Sequence, residues 1–176
     1  EDGALLDQSW FAISPADREK FREFRHAIAL IVNDTARANG YPKLGTDQAV
    51  PVARTEEILA YYRRELEAVF GGADPPQYAI YGHIGDGHLH VNMLPKTEDK
   101  FRAAKALLLE FAVQAVKLGG TVGAEHGLGK SKAHLLRLQY PAEVLDAMWR
   151  IKLALDPQDL LNRGNLFATS PLLQPA

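Results

Sequence analysis

An α+β fold, with an antiparallel β-sheet and helices packed mainly on one face, is predicted by two features of the sequence. Gln77 to Pro95 reads as a β-hairpin, because polar and apolar residues alternate on either side of Asp86-Gly87. Helical periodicity occupies much of the rest: two helices before the hairpin, one after it, and two more beyond a returning strand. The order α, α, β-hairpin, α, β, α, α favours an antiparallel layer over a wound parallel sheet.

At 176 residues, 47% of them hydrophobic, the chain is expected to be a single domain over residues 1–176 with a core that needs no disulfides. Twenty basic against 22 acidic residues leave a net charge of −2, and no long like-charge block argues for nucleic acid. The most apolar window, Ala103 to Leu118, is broken by Lys105, Glu110, Gln114 and Lys117. It is therefore a core helix and no transmembrane segment. Nothing before the first helix resembles a signal or transit peptide. Without cysteine, any bound metal must use nitrogen and oxygen ligands.

The first helix starts at Ser14-Pro15-Ala16-Asp17, which supplies an N-cap serine, a proline at the first helical position and an acid at the third. It runs to about Asn39-Gly40 with an apolar stripe of Phe21, Phe24, Ile28 and Ile31. Arg25 lies at the edge of that stripe. Its head is either solvated or held at the rim of a pocket, where it would face a carboxylate. Tyr41 to Val52 is too rich in proline and glycine for a helix and leads to an extended segment at Gln48 to Val52, with Lys43 and Asp47 expected as solvated charges. Thr55 to about Phe70 is the second helix, ending at Gly71-Gly72 before the loop Ala73-Asp74-Pro75-Pro76, and its Arg63-Arg64 pair should face water.

In the hairpin, a two-residue turn at Asp86-Gly87 opposes His83 to His90 and Tyr81 to Asn92. Ile80, Gly82, Ile84, Leu89, Val91 and Met93 then share the apolar face, and Tyr81, His83, His88, His90 and Asn92 the other. Opposed side chains are about 4.5–5.5 Å apart at Cβ, near enough for two imidazoles to hold one ion. Thr97 caps a helix to Leu118 that should cover the apolar face, and Thr121-Val122 returns as a strand beside the hairpin. Gly123 to Lys130, GAEHGLGK, is either a plain glycine turn or the source of a third ligand, Glu125; two histidines, a glutamate and open positions form a catalytic coordination set. Helical segments at Ser131 to Gln139 and Pro141 to Leu155 follow, and Asp156-Pro157 caps a short turn, Gln158 to Leu161, before a tail.

Three motifs carry a resemblance to a known family: GHIGDGHLHVN at Gly82 to Asn92, GGTVGAEHGLGK at Gly119 to Lys130, and LDPQDLLNRGNLF at Leu155 to Phe167. Together they resemble the C-terminal domain of the FAD-linked oxidases, which include D-lactate dehydrogenases, the glycolate oxidase subunit and D-2-hydroxyglutarate dehydrogenase. FRHAIALIVND and KLGTDQAVPV, within Phe24 to Val52, resemble its earlier part. The resemblance implies a divalent metal (Zn, Mn, Co or Fe) on His83, His90 and Glu125, and His126 as the base on the substrate hydroxyl. It implies Arg25 at the substrate carboxylate and Asn162 near the flavin; His88 and Asn92, on the same face of the hairpin, are expected to contact the substrate. It also implies that the chain is a substrate and cap domain, with FAD held mainly by a flavin-binding domain outside this chain. His88 stands where the family usually has asparagine, and Arg163 and Asn165 stand where proline and lysine are common.

The reaction so implied is oxidation of a 2-hydroxy acid to a 2-oxo acid, with hydride passing to flavin. The isolated chain is then expected to be inactive, and its expected location is cytoplasmic, with any peripheral membrane contact made through the full-length enzyme. Two alternatives remain. His88-Leu89-His90-Val91-Asn92 approximates the strand of histidine-triad nucleotide hydrolases, although asparagine replaces the third histidine. A non-catalytic cap-like binding module is the other. Both predict no metal at His83 and His90.

Overall fold

The structure, a computed structural model, describes residues 9–73 and 75–167. Asp74 of the second loop, the irregular start before Ser9 and the tail after Phe167 lie outside the described residues. Helix α1, Pro15–Asn39, opens with the expected capping box: the Ser14 hydroxyl accepts from the Asp17 N–H at 3.1 Å, and the Ser14 N–H donates to the Asp17 carboxylate at 3.0 Å. Such a cap contributes about 1 kcal/mol. The helix ends at Gly40 in the left-handed conformation.

Strand β1, Leu44–Gly45, follows, then helix α2, Thr55–Phe70, and strands β2, Tyr78–His83, and β3, His88–Met93. The three strands form an antiparallel sheet in the order β1-β3-β2. Helix α3, Glu98–Lys117, starts on Thr97, whose side chain accepts from the Lys100 N–H. The short α4, Leu136–Gln139, and α5, Ala142–Leu155, complete the fold. Among the described residues no helix is long and apolar enough to cross a membrane.

Two apolar clusters fix the site-bearing elements. Ile58, Tyr62, Leu66 and Phe70 recur every four residues along one stripe of α2 and meet Leu107 and Phe111 of α3 over Leu89, Val91 and Met93 of β3. Burial of side chains of this size stabilises by roughly 1.5–3 kcal/mol each, and every residue of β3 is buried. The second cluster joins Ala112 of α3 to Val122, Leu128, Leu135, Leu136, Leu145 and Phe167. Val122 precedes the GAEHGLGK segment and Leu128 lies within it, so Gly123 to Gly127 is pinned on either side.

The hairpin register differs from the expected one. His83 opposes His88, and Tyr81 opposes His90. The connection is a 3-10 turn, Ile84–Asp86, closed by Gly87 at φ +63°. A type I′ turn would require positive φ at Asp86 as well; here glycine alone takes it. The Gly87 carbonyl also accepts from the Val50 N–H at 3.0 Å, drawing that residue out of the ladder. Because the shift is by two residues, every side chain keeps its face. Ile84 is the exception to the apolar set, since it lies in the turn and is 71% exposed.

Other expectations are corrected locally. In place of a strand at Gln48 to Val52, Ala49 makes single bridges to His88 and Thr121, and Val52–Arg54 is a 3-10 turn. Thr121 therefore neighbours Ala49 and not the hairpin itself. The helix expected from Ser131 to Gln139 is a 3-10 turn, Ala133–Leu135, that continues into α4, and no side-chain cap closes its start. The stripe of α1 is left largely uncovered by the described residues: Phe24 and Ile31 are exposed, and Val32 is the buried residue of that helix.

Candidate metal centre and active site

The polar face of the hairpin gathers His83, His88 and His90, as parity along the strands requires. Their rings are 5.7 Å apart between His83 and His90 and 4.2 Å apart between His88 and His90. Glu125 reaches them from the glycine loop. Its Oε1 is 2.9 Å from His83 Nε2 and 3.5 Å from His88 Nδ1, and its Oε2 is 3.8 Å from His90 Nε2. The ring of His126 stacks on that of His90 at 5.2 Å and 8°, with Nε2 3.6 Å from Glu125 Oε2. Gly127, at φ +68°, turns the chain immediately after these two residues, so adjacent side chains that would diverge in a strand both face the hairpin.

The loop holds this shape because of Asp47. That carboxylate is fully buried and accepts from the N–H groups of Ala124, Glu125 and His126 at 3.2, 3.2 and 3.1 Å. Its Oδ1 also lies 3.4 Å from His88 Nε2 and 3.8 Å from His126 Nδ1. Thr46 fastens the same segment to β3, accepting from the Val91 N–H and donating to the Leu89 carbonyl. The expectation that Asp47 is a solvated charge is thus corrected: a row of three backbone donors in a tight loop draws the acid inward. The only sequence signal for it was its place within KLGTDQAVPV.

One ligand atom from each of His83, His90 and Glu125 lies within 4.8 Å of the others. Donors bonded to one ion at about 2.0–2.2 Å stand roughly 3–3.5 Å apart, so small side-chain shifts fit this set to a divalent ion. Burial first, and then the neighbouring His88, push His90 below the usual 6.5, which leaves its lone pair available to a metal. Asp47, His90 and His126 meet the same spacing. The Asp47 oxygens, however, already accept three N–H groups, and this leaves the set with weaker donor capacity.

His90, Asn92 and His126 open onto a cavity of about 800 Å³. His88 does not line it: at 2% exposure it is buried beside Glu125. Arg25 is exposed on α1 and does not line the cavity either. Asn162 is exposed at φ +50° in a turn closed by the Asn165 N–H to its carbonyl, on the segment whose Leu166 N–H donates to Gly129. The geometry therefore brings together His83, His88, His90, Glu125 and His126; His90 and His126 line the cavity with Asn92, whereas His83, His88, Glu125, Arg25 and Asn162 are not among its lining residues. Lys132, which lines the cavity, had no signal in the sequence.

Residues 2–166 match the family described as FAD linked oxidases, C-terminal domain. The chain is 32% identical over 133 residues to the mitochondrial D-lactate dehydrogenase (cytochrome) of Arabidopsis thaliana, an alignment covering 74% of this chain and 23% of that protein. It is 38% identical over 90 residues to the glycolate oxidase subunit GlcD of Bacillus subtilis, covering 50% and 19%. It is 32% identical over 172 residues to the D-2-hydroxyglutarate dehydrogenase of Xanthomonas citri, covering 93% and 35%. The chain spans about a third or less of the length of these relatives. With a match over nearly all of its residues, the chain belongs to the family of FAD-linked oxidase C-terminal domains.

Proposed function

We propose that this chain is the substrate- and metal-binding domain of an FAD-dependent dehydrogenase that oxidises a 2-hydroxy acid to the 2-oxo acid. The observation that carries this reading is the convergence of His83, His90 and Glu125 donors beside a cavity whose wall includes His126. The relatives named above act, by their names, on D-lactate, glycolate and D-2-hydroxyglutarate, all 2-hydroxy acids.

In this reading His83, His90 and Glu125 hold a divalent ion, which when bound supplies Lewis-acid stabilisation to the hydroxyl oxygen losing its proton. FAD, carried by a flavin-binding domain outside this chain, supplies the hydride acceptor. His126 does not need to be a ligand. Stacked on His90 and 62% exposed, it lines the cavity, where its ring would take the hydroxyl proton. The Asp47 carboxylate near its Nδ1 orients the ring, and Asn92, buried two residues from His90 on β3, offers an amide to the substrate's polar groups.

Elemental analysis with single substitutions tests this. The purified chain should take up about one divalent ion, and His83→Ala and Glu125→Gln should each lose it, while His126→Ala keeps it. In the full-length flavoenzyme His126→Ala should lower kcat by about 10²–10⁴, the usual worth of a general base. Metal uptake unaffected by His83→Ala would end the proposal, and turnover of nucleotides by the chain alone would favour the hydrolase alternative.

A further inference from the structure

Of the histidines gathered at the hairpin and the glycine loop, three have roles in the reading above and His88 has none. His83 and His90 give nitrogens to the metal set, and His126 takes the proton. Among the described residues His88 belongs to neither group with metal-donor spacing, and it does not line the cavity. Its backbone is nevertheless held on both sides, by His83 on β2 and by the bridge to Ala49, and its side chain is buried. An imidazole withdrawn from water in this way needs polar partners, and each of its nitrogens faces a carboxylate. Nδ1 lies 3.5 Å from Glu125 Oε1, and Nε2 lies 3.4 Å from Asp47 Oδ1. The Nε2 atom makes no hydrogen bond among the described residues. Asp47 already accepts the N–H groups of Ala124, Glu125 and His126, so Glu125 is the acceptor with capacity left.

Glu125 needs such a contact. Asp47 holds its backbone N–H but not its side chain, which is partly exposed on the loop. Its Oε1 is 2.9 Å from His83 Nε2, yet in the reading above that nitrogen is given to the ion, and Oε2 faces His90 and His126. His88 is then the one imidazole of the group free to hold the carboxylate. Carboxylates that bind metals are themselves hydrogen-bonded, and the partner fixes their orientation. We propose that His88 is a positioning residue for Glu125: its Nδ1–H donates to Oε1 from a strand paired on both sides, and leaves Oε2 to the ion. At 3.5 Å the contact is longer than the roughly 2.7–3.2 Å of a formed bond, and a small rotation of the Glu125 carboxylate closes it. The purpose of this contact rests on the metal reading above, but the contact itself can be tested without an ion.

Substitutions at His88 separate its two nitrogens, because an asparagine amide can replace Nδ1 and a glutamine amide Nε2. In competition of the 176-residue chain with a chelator for zinc, His88→Asn should stay near the parent's affinity. His88→Gln and His88→Phe should each lose about 10- to 100-fold, the usual worth of a group that orients a metal ligand. With cobalt in place of zinc, His88→Phe should change the visible spectrum, as Glu125 becomes free to bind through both oxygens, and His88→Asn should keep the parent's spectrum. If His88→Phe fails to fold, the contrast between His88→Asn and His88→Gln, both polar, decides. In the ion-free chain, nitrogen-15 spectra of the imidazoles should show the His88 proton on Nδ1 protected from exchange, and Glu125→Ala should expose it. Affinity and spectrum unchanged in His88→Gln and His88→Phe overturn the proposal. So does a loss in His88→Asn as large as in His88→Phe, which would make His88 a ligand itself, and so does a His88 ring protonated on Nε2 alone. A parent chain that takes up no divalent ion instead fails the metal reading, and the imidazole spectra then still decide the contact.

Discussion

Replacing Asp47 by alanine tests how the metal set is assembled. The carboxylate accepts three backbone N–H bonds from the loop that carries Glu125 and His126. Hydrogen bonds to a charged group contribute about 1.5–3 kcal/mol each, giving a gross loss of roughly 4.5–9 kcal/mol. Two effects reduce it. Ala124, Glu125 and His126 are exposed residues, so water can satisfy their N–H groups in the variant, and removing a fully buried carboxylate returns its desolvation cost. A net loss of about 2–4 kcal/mol in closing the loop remains. Since only the closed loop presents Glu125 to His83 and His90, metal affinity should fall by about thirty- to several-hundredfold. Competition of the Asp47→Ala chain with a chromogenic chelator measures this, and amide exchange at residues 124–126 should accelerate in parallel. Asp47→Asn, which keeps one acceptor oxygen without the charge, should fall between. Metal affinity and exchange in Asp47→Ala equal to the parent would refute the view that Asp47 shapes the site.

Two further outcomes concern the scaffold. Phe111 is fully buried with its ring 4.6 Å from Tyr62, and Phe111→Ala should cost about 3–5 kcal/mol in urea denaturation; a loss under about 1 kcal/mol would show that the sheet-facing cluster is not the core. The Lys152 ammonium, and then the N–H groups of Leu161 and Leu160, hold the Asp156 carboxyl at about 2, down from 3.8. A lowered carboxyl pKa stabilises the fold above the unfolded value and loses that contribution as pH falls through the folded one. Amide protection at Leu160 and Leu161 should therefore decline between about pH 4 and pH 2, and Asp156→Asn should remove that pH dependence; unchanged protection down to pH 2 would contradict it.

What could be read from the sequence was whatever depends on short-range periodicity. The capping box at Ser14, the α3 start at Thr97 and the sorting of His83, His88 and His90 onto one face all follow from neighbours a few residues away. The register itself was not legible, because the bond from Val50 to Gly87 that reshapes the turn spans 37 residues and leaves no local trace. Asp47 was missed for the same reason: the amides it binds lie 77 to 79 residues downstream. The α1 stripe was read correctly as apolar, but periodicity says only that a face wants covering, not what covers it.

The division of the candidate site between two kinds of support has a mechanical consequence. His83 and His90 stand on strands backed by the α2 and α3 cluster, where Val91 and Met93 are wholly buried, so moving either imidazole means disturbing the core. Glu125 and His126 stand on a loop whose ends are clamped by Val122 and Leu128 but whose middle is exposed and held mainly by one carboxylate. The loop is therefore the cheaper element to displace, by the difference between a few hydrogen bonds and several buried side chains. A ligand set with two donors on the strands and one on the loop would couple metal binding to loop closure. The ion would gain its third donor only when His126 is also carried to the cavity, so the metal and the base would arrive together.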